Sequence, residues 1–164
     1  MLLVYVDDIV VTGLDQDVVS RIKNQLHSTF QMKELGHLSY FLGLEVHYYH
    51  QGISLCQHKN IQDLVQLVGL PNATPVDTLM EVNVKYQRDE GELLDDPTHY
   101  HKLVGSLIYL TITCPDISFV VHTVSKFMQS PRHLHLSAVK QIIRYLLGTP
   151  KHGLFFPADS SVQL

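Results

Sequence analysis

Paired cysteines are absent: Cys56 and Cys114 stand far apart with no Cys-x-x-Cys spacing around either. A disulfide framework and a structural zinc finger are therefore not indicated, and a reducing compartment fits best. An excess of positive charge is also lacking. Lys and Arg number 12 against 16 Asp and Glu, for a net charge of -4, so no global field draws in phosphate and any nucleic-acid role needs a local basic patch or neighbouring segments. Long apolar runs are missing as well, since no stretch approaches the roughly 18 to 20 residues of a membrane span. Met1 to Val6 is too short, and has no basic flank, for a signal peptide. The chain reads as soluble and unexported. What it does have is 45% hydrophobic content in 164 residues, enough for a core, and 11 scattered histidines.

Leu2 to Val6 and Ile9 to Thr12 are short β-branched runs separated by Asp7 and Asp8, the layout of a tight hairpin with carboxylates at its tip. Val18, Ile22, Leu26 and Phe30 then recur every four residues behind Asp15, which predicts an N-capped helix burying one face. Leu38 to Tyr49 and Ile53 to Gln57, punctuated by Gln51-Gly52, predict a second hairpin extending the first sheet. Ile61, Leu64, Val65 and Val68 mark a short helix stopped by Gly69 and Pro71. Residues 72–97 have little periodicity and read as a long exposed connection. Beyond them three helices are marked by Tyr100, Leu103, Leu107 and Leu110, by Ile117, Val120, Val121 and Val124, and by Leu136, Val139, Ile143 and Leu146, with a strand-like Gly153 to Phe156 at the end. The order of elements predicts an α+β fold.

Tyr5-Val6-Asp7-Asp8 carries the chemistry. Adjacent carboxylates on a rigid hairpin can hold divalent cations, and two Mg²⁺ about 3.5 to 4 Å apart serve phosphoryl transfer by activating an attacking hydroxyl and stabilising the leaving group. An isolated Asp-Asp pair is more often just a solvated turn, although it suits a two-residue hairpin loop less well than Asn-Gly does and so suggests strain. Wider context favours chemistry. MLLVYVDDIVVTG resembles the YVDD hairpin of copia-type retrotransposon reverse transcriptases, and the likeness continues through FQMKELGHLSYFLGLEV, ISLCQHKNIQDLV, LLDDPTHYHKLVGSLIYLT, PDISFVVHTVSKFMQSP and AVKQIIRYLLGTPKHGLFF.

The resemblance implies a partial polymerase palm, of antiparallel hairpins plus a helix, followed by a helical thumb and connection. On this division residues 1–71 are the end of the palm and the start of the thumb, 72–97 an extended connection, and 98–164 a helical region leading toward a ribonuclease H domain. It further implies catalytic and metal-binding roles for Asp7 and Asp8 with Mg²⁺ or Mn²⁺, and contacts of Tyr5 and Val6 with primer-template and incoming nucleotide. Implied partners are an RNA or DNA template-primer, deoxynucleotides, and the fingers, remaining palm and ribonuclease H portions of a polyprotein. An intracellular, cytoplasmic setting without membrane also follows. Because the family's first catalytic Asp and its fingers lie upstream of YVDD, the chain alone is expected not to polymerise. The alternative is a noncatalytic transposon-derived remnant, at most a weak nucleic-acid or subunit-interaction module. A hydrolase is disfavoured, because no nucleophile and base pair accompanies the acids.

His101 and Cys114 stand where the family commonly has Arg, which fits either decay of an inactive element copy or ordinary drift. Lys126, Arg132, Lys140, Arg144 and Lys151 form the one basic concentration, read as weak contacts with a nucleic-acid backbone or as a solvated helix face. His133 with His135, and His47 with His50, raise zinc binding, but no Cys or carboxylate completes a familiar spacing and capping or surface roles are commoner. A hairpin with an unpaired edge and an apolar face also predicts poor solubility.

Overall fold

The computed structural model describes residues 1–70, 72–81, 86–87, 91–149 and 152–159. The chain divides into two compact units, residues 1–39 and 40–164. With antiparallel sheets and helices in both, the fold is α+β, as expected.

In the first unit, β1 (Leu2–Tyr5) pairs antiparallel with β2 (Asp8–Val11), and α1 (Gln16–Thr29) follows. The Asp15 carboxylate accepts the backbone N–H groups of Asp17 and Val18 at 2.9 and 3.1 Å, so the predicted cap is made. The predicted burial is not. No residue of α1 is buried; Val19, Ile22 and Leu26 are half-covered, and Phe30 just beyond is 59% exposed. A two-stranded ribbon is too narrow to cover a 14-residue helix, and the strand residues Leu2, Leu3, Val4 and Tyr5 are themselves exposed.

In the second unit, β3 (Tyr40–Phe41), β4 (Leu44–Tyr49) and β5 (Gly52–Cys56) form a meander, and β6 (Gly153–Pro157) pairs antiparallel with β5. The second hairpin therefore does not extend the first sheet. β6 occupies the open edge of β5 and β3 that of β4, giving a separate sheet of order β3-β4-β5-β6. The turn is also displaced by one residue from the expected Gln51-Gly52. His50 and Gln51 form the loop, while Gly52, with φ at +150°, pairs with Tyr49 and lies so near β6 that a Cβ there would meet the Phe156 carbonyl at 2.1 Å.

The helices form the main core. α2 (His58–Leu67), α3 (Thr98–Leu110), α4 (Ser118–Ser125, behind a 3₁₀ turn at Pro115–Ile117) and α5 (His133–Gly148) match the apolar periodicities. Ile61 and Leu64 of α2 pack in one cluster with Leu103 and Leu107 of α3, Val121 and Val124 of α4, and Val139, Ile142 and Ile143 of α5. Each such side chain contributes about 1.5 to 3 kcal/mol when removed fully from water.

Polar groups inside this core are paired. Gln57 donates through Nε2 to the Tyr109 carbonyl and to Thr113 Oγ1, both at 3.1 Å, and accepts from Asn60 at 3.0 Å. The Tyr100 hydroxyl donates to the Val124 carbonyl at 2.7 Å, and burial pushes its pKa up. The described parts of 72–97 are mostly exposed and none of their residues is buried, but they are tied to the helices at several points. Val76 N–H bonds the Arg144 carbonyl, Leu94 N–H the Pro131 carbonyl, and Leu79, Met80, Tyr86 and Leu94 lean on the core.

Candidate active site

The Asp-Asp hairpin is built by strand register. Leu2 faces Val11, Leu3 faces Val10, Val4 faces Ile9 and Tyr5 faces Asp8, which leaves Val6 and Asp7 as a two-residue loop. The loop thus lies one residue earlier than the Asp7-Asp8 tip expected from composition. Asp7 sits in the turn, whereas Asp8 opens β2 on the same face as Tyr5, its cross-strand neighbour.

Strain is present, but at Val6. Its φ is +48°, and positive φ at the first loop position belongs to hairpin turns that favour glycine there. Holding a β-branched residue in that conformation costs about 1 to 3 kcal/mol, and strain of this kind gathers at functional positions. Asp7 and Asp8 are exposed, and their carboxylates take no hydrogen bond or ion pair among the described residues. Four hard oxygens open to solvent at a two-residue hairpin suit Mg²⁺ or Mn²⁺, which prefer oxygen donors and retain several waters. The donor set fits the metal.

The basic residues divide into two kinds. Arg132 donates to the Gly91 carbonyl and Arg144 Nε to the Thr74 carbonyl at 3.0 Å, so both guanidinium groups fasten the connection to α5. Lys126 at the end of α4 is exposed, and Lys140 is partly so. Lys151 lies outside the described residues.

The histidine pairs do not act as pairs. His133 is exposed, but His135 is fully buried, stacked on Phe127 with ring centroids 3.7 Å apart. Its Nδ1 accepts the Arg132 backbone N–H and its Nε2 donates to the Gln87 carbonyl, each at 3.1 Å. This fixes the neutral tautomer as a cap for α5. His47 lies on β4 and His50 in the adjoining turn, both exposed. His101 bonds the Met128 carbonyl at 2.6 Å, and Cys114 is buried beside Thr113, so the second unit accommodates both departures from Arg.

Residues 1–82 match the family described as reverse transcriptase (RNA-dependent DNA polymerase). The chain belongs to the copia-type reverse transcriptases. It is 42% identical over 163 residues to the retrovirus-related Pol polyprotein from transposon RE1 of Arabidopsis thaliana, covering 99% of this chain and 11% of the polyprotein. The Pol polyprotein from transposon TNT 1-94 of Nicotiana tabacum is 34% identical over 173 residues, with 99% of this chain and 13% of the relative covered. An uncharacterised mitochondrial protein of Arabidopsis thaliana is 34% identical over 163 residues, and there the chain spans 68% of the relative. No solved structure matches. The copia-type chain thus corresponds to about a tenth of the Pol polyproteins it resembles, and among its described residues no helix is long and apolar enough to cross a membrane.

Proposed function

We propose that this chain supplies the metal-holding YVDD hairpin, and the thumb and connection that follow it, of an RNA-directed DNA polymerase. Asp7 and Asp8 are the catalytic acids that hold Mg²⁺ or Mn²⁺. The observation that carries this reading is the two open carboxylates fixed by the β1–β2 register beside a strained Val6, inside the segment that matches the family. When bound, the metals activate the primer 3′-hydroxyl and neutralise charge on the leaving pyrophosphate. Tyr5 shares the face of Asp8 and lies beside the primer-template. Val6, 79% exposed at the tip, packs near the primer end and the incoming nucleotide.

Residues 1–71 act in this reading as palm and start of thumb, 72–97 as connection, and 98–164 as helical thumb and connection toward ribonuclease H. Lys126 is exposed and Lys140 partly so, open to a nucleic-acid backbone; Arg132 and Arg144 each spend one guanidinium donor on a carbonyl of the connection and meet it with side chains already tethered. The partners are a template-primer, deoxynucleotides and the other portions of the polyprotein, in an intracellular, cytoplasmic setting.

Taken alone, residues 1–164 carry two of the family's three catalytic acids. Phosphoryl transfer rests on positioned charge, so losing one ligand abolishes it rather than slowing it modestly. Primer extension on a homopolymer RNA template with Mg²⁺ or Mn²⁺ is expected to show no incorporation above an Asp7→Asn, Asp8→Asn control. Incorporation that vanishes in the control would show that these two acids suffice with some other ligand. A noncatalytic remnant is the second reading, favoured by the shorter mitochondrial relative, of which this chain spans 68%.

A further inference from the structure

The β4–β5 register sets Glu45 opposite Cys56 and His47 opposite Ser54. Residues two apart on a strand share a face, so Glu45, His47 and Cys56 project to the same side of the sheet. One potential ligand atom from each lies within 4.8 Å of the others. Glu45 Oε2 is 3.7 Å from His47 Nε2 and 4.0 Å from Cys56 Sγ. The second carboxylate oxygen is already held, because Oε1 accepts the Lys59 backbone N–H at 2.8 Å. That bond also caps α2, whose N-cap Gln57 contributes no side-chain bond there. Cys56 is buried while the His47 imidazole is half exposed, so the group is closed on its sulfur side and open to water on its nitrogen side.

We propose that Glu45, His47 and Cys56 form a binding site for a divalent cation of the zinc class, separate from the Asp7-Asp8 hairpin. Zinc bonds of about 2.0 to 2.3 Å in a tetrahedral site place neighbouring donor atoms about 3.5 Å apart. The 3.7 and 4.0 Å spacings about Glu45 Oε2 already lie close to that value. A sulfur, nitrogen and oxygen donor set selects zinc or cobalt over Mg²⁺, which takes oxygen ligands. The Lys59 N–H orients the carboxylate from behind, as outer partners of metal ligands do. Three protein ligands leave a fourth position for water on the exposed side. Binding requires the Cys56 thiol to release its proton to solvent, and burial pushes that thiol's pKa up, so affinity rises with pH.

The test is titration of the whole chain with Co²⁺, followed by absorption, and with Zn²⁺, followed by calorimetry in excess Mg²⁺. One equivalent is expected, with a thiolate-to-cobalt charge-transfer band that Mg²⁺ does not displace. His47→Gln, a change at an exposed side chain that leaves the core intact, should weaken binding at least about tenfold, and His50→Gln should leave it unaltered. Cys56→Ser should remove the band and Cys114→Ser retain it. The site is overturned if no band forms, if the band survives Cys56→Ser, or if His47→Gln binds as tightly as the unaltered chain.

Discussion

His135 shows how one residue ties stability to pH. Burial holds its pKa below the ordinary histidine value of 6.5, and the Arg132 charge adds to this, while the Gln87 carbonyl opposes it. Protonation would turn Nδ1 from acceptor to donor against the Arg132 N–H it now receives. As pH falls below 6.5 the unfolded chain takes up a proton that the folded chain resists. Stability is therefore whole above that value and is lost through the window below it. His135→Gln can keep the capping bond but has no proton to gain. The variant should melt lower than the unaltered chain near pH 8, by about 1 to 2 kcal/mol for the lost stack and burial, yet show a shallower fall in Tm between about pH 6.5 and 5. Parallel melting curves across that range would remove His135 from the acid response. Glu45 holds two positions at once, capping α2 through one oxygen and facing His47 and Cys56 through the other. Spacing along the chain gives no hint of this, because Cys56 reaches Glu45 only through the strand register.

Among the elements, helices were the legible part of the sequence. Val120, Val121 and Val124, or Val139, Ile143 and Leu146, repeat at the helical period because each faces the same core, and that information is local. Strand pairing is not local. β6 joins β5 across about a hundred residues, and nothing in Gly153 to Phe156 names its partner, so the expected sheet was wrong where the helices were right. Both hairpin loops also fall one residue earlier than turn composition suggested. Asp7-Asp8 and Gln51-Gly52 look like loops, but the cross-strand register places Asp8 and Gly52 in strands. Gly52 is needed there for contact as well as conformation. Gly52→Ala drives a Cβ into the Phe156 carbonyl at a φ that side chains avoid, and should cost about 2 to 3 kcal/mol. Urea denaturation checks this, and a change below about 0.5 kcal/mol would mean that β6 yields easily.

At the scale of the whole molecule, the buried core and the Asp-Asp hairpin lie in different units. The second unit holds the buried cluster, the paired polar groups and the fastened connection. The first holds the acids on a ribbon whose apolar side chains are exposed and whose helix buries no residue. The YVDD block, with the matching segments that follow it, was enough to identify the family from the sequence. The strained Val6 was not visible, since a backbone conformation of that kind is set by register and not by residue type.

The most direct measurement follows amide signals of the chain by NMR during Mn²⁺ addition, for the unaltered protein and for Asp7→Asn, Asp8→Asn. Two carboxylates without a third ligand bind such a cation weakly, at about millimolar concentration. Paramagnetic broadening is expected to appear first around Tyr5, Val6, Asp7 and Asp8 and to be lost in the double variant. No broadening around the hairpin, or broadening there that is unchanged when both acids are removed, would contradict a metal-holding role for the hairpin.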